Sequence, residues 1–396
     1  MVNLPEADWL DYVPSFAGGL GALSVPATEQ ELRLAAVARG AMDDPVLDDA
    51  RLRAAREVVH ERRSDRFTRF DGNLEGVVGP EVLERRFSAT RLQTWATCPH
   101  AYLLQYVLRV EAVEEPERRI EIDALSRGRL VHEILDRFVK DALRAGHPFD
   151  RWGPDDEHRL LAIADECFAL YEAMGLTGRA ILWRRDRQQL VHDLRQFLGD
   201  DSDRLVSGIR PLRTEHGFDD LAVSLPSGRT ITVRGSVDRI DRSADGSLVV
   251  LDYKTGSSRS YKELSQENPH VGGSRLQPYL YARAAGEEDP TDRPVWAGFW
   301  FVSTKGKFEC KGFPITPEVA AQVEAALDVI VSGIAAGLFP ARPSAQPAWG
   351  YVDCDYCRPD GLSGADRRRE WDSKRSDPAL RSYLGLSEPE GLDGEA

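Results

Sequence analysis

The chain has 396 residues, with 65 acidic against 51 basic side chains, a formal charge of -14, and 42% hydrophobic and 29% charged residues. This is a globular composition with length for about two or three domains, and no apolar run approaches the roughly 18 residues that span a bilayer. Five unevenly spaced cysteines do not make a disulfide framework, and the negative balance argues against a protein that coats nucleic acid non-specifically while leaving room for a local basic cleft.

The start, MVNLPEADWL, carries Glu6 and Asp8 and no basic segment, so it does not read as a secretory signal; a reducing cytoplasm is the expected location. Thr28 followed by Glu31 predicts a capped helix running into Leu32, Leu34 and Ala35. Residues 42–70 are charged and helix-prone, and Asp71-Gly72-Asn73 with Gly76, Gly79 and Pro80 marks a loop, here read as a linker. Ser88 is the expected N-cap of a helix holding Leu92, Trp95 and Ala96. Val131, Leu135, Phe138 and Val139 draw an apolar stripe over 128–143, and two more helices are expected over 154–200, with Cys167 in their core.

Residues 211–315 change period. Val223, Ile231, Val233, Val237 and Ile240 alternate with polar residues, Asp245-Gly246 signals a turn, and 248–253 is a nearly continuous apolar run, as in a buried strand. A helix is expected at about 274–285, then a second hairpin from 296–302 and 307–313 around Lys305-Gly306, placing Cys310 on a strand. Thr316 caps a helix over 316–338 with Pro317 at its first position. Cys354 and Cys357 follow a Pro-rich stretch, and the end from Glu388 is acidic.

The chemistry concentrates in 230–256. Asp252 and Lys254 lie two apart on one strand and so share a face, and the hairpin brings Asp238 across to them. Two close carboxylates repel unless protonated or bridged by a cation, and hard oxygen ligands suit Mg²⁺ or Mn²⁺. A lysine beside such an ion can hold a nucleophilic water or offset charge on phosphorus, which is the inventory of metal-assisted phosphodiester hydrolysis. His132, upstream on a helix, could add a nitrogen ligand, and Gln277 and Tyr281, four apart, share a helix face.

In order and spacing, GRLVH (128–132), GSVDRID (235–241), LDYKTG (251–256) and QPYLY (277–281) resemble the motifs of the PD-(D/E)XK nuclease superfamily, and within it the RecB/AddB-type nucleases. SATRLQTWATCPHAYLLQYVL (88–108) extends the likeness, and FTRFDGNL (67–74) resembles the linker ahead of the AddB-type nuclease domain. The resemblance implies an α/β fold with a restriction-endonuclease-like core, a central mixed sheet flanked by helices and an N-terminal helical extension. It divides the chain into a helical and linker segment (1–87), a nuclease domain (88–380) with a helical insertion at about 145–210, and an acidic tail (381–396). It implies that His132, Asp238, Asp252 and the Tyr253 carbonyl bind the divalent cation and that Lys254 activates the attacking water. Gln277 and Tyr281 then steady the site or contact DNA, and Glu215, ahead of the first strand, is an outer acid.

Alone, the Cys354-x-x-Cys357 pair reads as a redox pair or half a zinc site, and Cys98 as a structural thiol. In the resembled branch one cysteine before the core and three after it bind a [4Fe–4S] cluster. Cys98, Cys354 and Cys357 match three positions; Ser363 stands where the fourth is expected, leaving Ser363, Asp360, Asp366 or solvent as fourth ligand, or zinc or no cluster instead. Of the basic clusters, Arg127 and Arg129 flank the start of the His132 helix and are best placed for DNA phosphates; the other arginine pairs read as solvated surface. Trp95, Trp183 and Trp300 read as core rather than base-stacking residues. The sequence contains no G-x-x-x-x-G-K-[ST] loop, so ATP-driven unwinding is expected from a helicase partner. The expected activity is a DNA exonuclease of repair, recombination or defence. The alternative is a non-catalytic DNA-binding or metal-stapled component of a helicase–nuclease complex.

Overall fold

The computed structural model describes residues 15–41, 44–77, 86–111, 119–290, 293–343 and 364–388. The N-terminal half is helical: α1 (Phe16–Ala22), α2 (Glu29–Ala38), α3 (Ala50–Arg63), α4 (Ala89–Thr97), α5 (Pro99–Tyr102), α6 (Ala124–Arg144), α7 (Pro154–Ala173) and α8 (Ala180–Val206). Then come β1 (Arg210–Ser224), β2 (Thr230–Arg242), β3 (Leu248–Lys254), α9 (Gln277–Glu288), β4 (Trp296–Phe301), β5 (Cys310–Pro314), α10 (Pro317–Ala335), α11 (Gly364–Lys374) and α12 (Arg381–Ser387). No described helix is long and apolar enough to cross a membrane.

The strands form one mixed sheet in the order β1-β2-β3-β4-β5. β1, β2 and β3 are antiparallel neighbours, β3 and β4 run parallel, and β5 returns antiparallel. A parallel pair needs a long crossover, and α9 lies in it. β3 is buried along nearly its whole length because helices cover both faces. Leu248 and Val250 join the core built with α4, α9, α10 and α12, whereas Val249, Leu251 and Tyr253 join the core built with α6, α7 and α8.

The expected caps form. Ser88 accepts from the Arg91 N–H and Thr316 from the Val319 N–H. Thr28 accepts from the Glu31 N–H, and the Glu31 carboxylate reaches back to the Ala27 N–H instead of that of Thr28. β1 begins at Arg210, well before the expected alternation, because register shifts between Pro211 and Arg213 and between Phe218 and Leu221 scramble its period of two. This also puts Glu215 inside β1, not ahead of it. α9 begins at Gln277, three residues later than expected, after Val271, Gly272 and Gly273 in left-handed conformation. A Cβ on Gly273 would lie 2.8 Å from that of Ala96. Residues 381–387, assigned above to an acidic tail, form α12, whose Tyr383 and Leu384 are buried and whose tyrosine packs edge-on to Trp95 at 5.2 Å.

Two charged clusters tie distant segments together. Arg239, fully buried on β2, pairs with Asp201 of α8 at 2.9 Å and with Asp241 at 2.6 Å, and Arg204 reaches Asp241 at 2.5 Å. Lys374 of α11 donates to the carbonyls of Glu61, Ser64 and Arg66, at 3.0, 3.0 and 2.8 Å, and lies 3.2 Å from Asp71. It thereby caps the end of α3. Residues 72–74, in the loop read as a linker, bond to 337–339, where a Cβ on Gly72 would collide with the Phe339 carbonyl.

Candidate active site

Three sequence-distant elements meet at the C-terminal end of β3. The β2–β3 ladder pairs Arg239 with Leu251, and one step further Asp238 accepts the Tyr253 N–H on Oδ2 at 2.6 Å. His132, on α6, reaches over this end. Its Nε2 lies 3.0 Å from the Tyr253 carbonyl oxygen and its Nδ1 3.4 Å from Asp238 Oδ1. Both ring nitrogens thus face oxygen acceptors. Burial pulls the imidazole pKa down, but the hydrogen bond and charge of Asp238, with Asp252 behind, outweigh it and hold it above its ordinary value.

Asp252 and Lys254 share a face of β3, as a period of two requires, and form an ion pair. Gln277, the first residue of α9, bridges them: its Nε2 donates to Asp252 Oδ1 at 2.8 Å and its Oε1 accepts from Lys254 Nζ at 3.3 Å. The same Nε2 lies 3.3 Å from the Tyr281 hydroxyl, one helical turn on. Burial pushes the Asp252 carboxyl up to about 6, with Lys254 pulling it back and Asp238 adding to the rise. Burial lowers Lys254, but the charge of Asp252 reverses that and keeps the ammonium protonated. Burial and the neighbouring carboxylates raise the Tyr281 phenol, so it stays a neutral hydroxyl.

Glu215 is the residue whose place the sequence conveys least well. It has φ +41°, a left-handed backbone that a non-glycine residue adopts only where its surroundings impose it, and it accepts from the Ser236 hydroxyl at 2.9 Å. Ligand atoms of His132, Glu215 and Asp238 all lie within 4.8 Å of one another. Burial and the charge of Asp238 push the Glu215 carboxyl upward. One imidazole, a backbone carbonyl and crowded carboxylates make a donor set that fits a hard divalent cation, because a cation offsets the mutual repulsion of the carboxylates. Asp252 stands beside this trio, its carboxylate engaged by Gln277 and Lys254. No local signal marks Glu215, because the residues from Arg213 to Gly217 are polar or glycine and show no apolar alternation.

The site opens into a cleft of about 1170 Å³, also lined by Arg127, Arg129, Asp193, Thr255, Gly256 and Lys305. Arg127 lies 3.8 Å from Asp193, and Arg129 is exposed. Trp95, Trp183 and Trp300 are all buried in the cores, as expected. Asp241 of GSVDRID turns to Arg239 and Arg204 and not to the site. Cys98 is buried ahead of α5, and Cys167 is buried in α7. Cys354, Cys357, Asp360 and Ser363 lie outside the described residues, and Asp366 is in α11.

A family model of the PD-(D/E)XK nuclease superfamily matches residues 86–360, and the chain belongs to that superfamily. Its mixed five-stranded sheet flanked by helices is the α/β fold of the family. Among individual proteins, the chain is similar to the B subunit of the ATP-dependent helicase/deoxyribonuclease of Moorella thermoacetica, 27% identical over 254 residues, or 60% of this chain and 21% of that protein. The protein of the same name from Symbiobacterium thermophilum is 27% identical over 251 residues, 58% of this chain and 20% of that protein. That from Lacticaseibacillus casei is 29% identical over 241 residues, 56% and 19% of the two chains. The chain thus spans about a fifth of the length of these relatives.

Proposed function

We propose that the chain is a divalent-metal-dependent DNA nuclease, exonucleolytic in mode, that hydrolyses phosphodiester bonds in repair, recombination or defence. The observation that carries the reading is the convergence of His132, Asp238 and the Tyr253 carbonyl beside the Asp252–Lys254 pair. His132, Asp238, Asp252 and the Tyr253 carbonyl would hold Mg²⁺ or Mn²⁺, with Glu215 as a further acid. When bound, the cation supplies Lewis-acid polarisation of a phosphoryl oxygen. Lys254, kept protonated by Asp252, orients the attacking water and offsets charge developing on phosphorus. Gln277 fixes the ammonium and the carboxylate relative to each other, and Tyr281 backs Gln277. Arg127 and Arg129 line the same cleft and receive the phosphate backbone.

A helicase partner supplying ATP-driven unwinding belongs to the same proposal, because the similar proteins are named for helicase and deoxyribonuclease together. So does a [4Fe–4S] cluster on Cys98, Cys354 and Cys357 with Ser363, Asp360 or Asp366 as fourth ligand. Supporting it, the His100 N–H donates to the Pro340 carbonyl at 3.1 Å, so the chain leading to Cys354 departs from beside Cys98. Visible absorbance and metal analysis of anaerobically purified protein separate iron–sulfur from zinc.

The test is cleavage of labelled single-stranded, duplex and end-blocked DNA with Mg²⁺, Mn²⁺ or EDTA. The parent should cut only with metal and only from free ends, and Asp252→Asn should not cut. A folded parent that binds DNA without cutting it under any of these conditions would favour the non-catalytic alternative instead.

A further inference from the structure

Asp193 is a buried acid that the proposed chemistry does not use. It lies on α8, only 4% exposed, on the wall of the cleft. Its Oδ1 accepts three hydrogen bonds: from the Thr304 N–H at 3.1 Å, the Thr304 hydroxyl at 2.6 Å and Gln189 Nε2 at 2.9 Å. Its Oδ2 faces Arg127 at 3.8 Å. One carboxylate therefore holds the turn between β4 and β5 by hydrogen bonds and sets a negative charge 3.8 Å from an arginine at the start of α6.

That turn is built to hold its shape. Ser303 accepts from the Gly306 N–H at 3.1 Å and donates to the Thr255 carbonyl at 3.0 Å, while the Val302 N–H donates to the Lys254 carbonyl at 2.9 Å. A Cβ on Gly306 would lie 2.8 Å from the Gly256 carbonyl oxygen, so only glycine lets the turn lie against the end of β3. Lys307 and Phe308 both hold left-handed backbone, at φ +60° and +56°. Lys305, at the tip, is exposed and lines the cleft together with Arg127.

We propose that Arg127 and Lys305 form a two-sided phosphate clamp beside the scissile bond, and that Asp193 is the positioning residue that sets it. This rests on the reading that the cleft receives a nucleic-acid backbone. A guanidinium drawn by a carboxylate on one side keeps its other N–H groups for a phosphate. A lysine at the tip of a turn anchored to α8 meets that phosphate without first ordering a loop.

The clamp predicts an effect opposite in sign to simple electrostatics. Neutralising an acid beside a polyanion tightens binding, whereas loosening a positioning residue weakens it. The experiment is fluorescence anisotropy of the full chain with a labelled single-stranded oligonucleotide in EDTA, as a function of KCl, so that no cleavage intervenes. Lys305→Gln and Arg127→Gln should each lower the slope of log affinity against log salt by about 0.7, the contribution of one phosphate contact on a single strand. Lys305→Arg should keep the parental slope. Asp193→Asn should weaken binding and lower the slope with an unchanged melting temperature. Should that variant fail to fold, Thr304→Ala loosens the same turn without altering charge and should also lower the slope. Parental slopes in Lys305→Gln and Arg127→Gln, tighter binding by a folded Asp193→Asn, or a parental slope in Thr304→Ala would overturn the proposal. Cleavage is read separately in Mn²⁺: a parent that binds through the clamp but never cuts sinks the nuclease reading and leaves the clamp standing.

Discussion

Adjacent residues in GSVDRID should give opposite phenotypes. Arg239 is fully buried, and its partners Asp201 and Asp241 are 0% exposed as well. In Arg239→Met the two carboxylates stay behind, with Arg204 and the Trp152 indole N–H as their remaining partners. Removing one member of a buried ion pair costs about 3–5 kcal/mol, because it strands the other charge. Unfolding entropy of about 2.1 cal/mol/K per residue, over a chain of 396 residues melting as one unit, turns that into a drop of about 4–6 °C. Asp238→Asn keeps an acceptor for the Tyr253 N–H at 2.6 Å and should melt within about 2 °C of the parent while losing cleavage. Circular dichroism melts of the two variants, beside a cleavage assay, make the comparison. An Arg239→Met protein that melts within about 1 °C of the parent would refute the idea that this network fastens α8 to the sheet.

Lys254→Met should lower kcat by about 10²–10³, the usual loss when one charge-stabilising donor is removed, in protein that is still folded at the assay temperature. Metal binding should depend on pH. His132, Asp252 and Glu215 all have raised pKa values, so their protons persist to higher pH and compete with the cation. Mn²⁺ affinity should therefore rise with pH through the region around 6 and above, and calorimetry in buffers of different ionisation enthalpy should show protons released on binding. Affinity constant from pH 5.5 to 8, with no proton release, contradicts this. Lys374→Met should speed tryptic cleavage near Arg62, Arg63 and Arg66, because the last carbonyls of α3 and the Asp71 carboxylate lose their shared donor. An unchanged digestion pattern would mean that α11 does not hold this segment.

Much of the site was legible in the sequence where one residue spacing decides geometry. Asp252 and Lys254 share a face because a strand has period two, and Gln277 and Tyr281 do so because a helix repeats every 3.6 residues. The apolar run of β3 announced a strand covered on both faces. The rest belongs to contacts that no local pattern encodes. Glu215 enters only through the family resemblance, as an outer acid ahead of the first strand; it lies inside β1, between two register shifts, in a stretch from Arg213 to Gly217 that carries no apolar alternation. Arg239 and Asp241 carry no local sign of their role, because their partners Asp201 and Arg204 come from α8. Asp193 carries no local mark on its helix, and only the fold brings Thr304 and Arg127 to it. α12 falls within the expected acidic tail because the acidic residues that follow it outweigh the apolar signal of Tyr383, Leu384 and Leu386.

The most direct test of the site is the DNA cleavage rate as a function of Mn²⁺ concentration, for the parent and for His132→Ala. A ligand that contacts the ion contributes at least the tenfold to hundredfold typical of outer partners, so His132→Ala should need at least about tenfold more Mn²⁺ for half-maximal rate. Identical half-saturation in the two proteins, or cleavage by the parent in EDTA, would contradict a cation held between α6 and the end of β3.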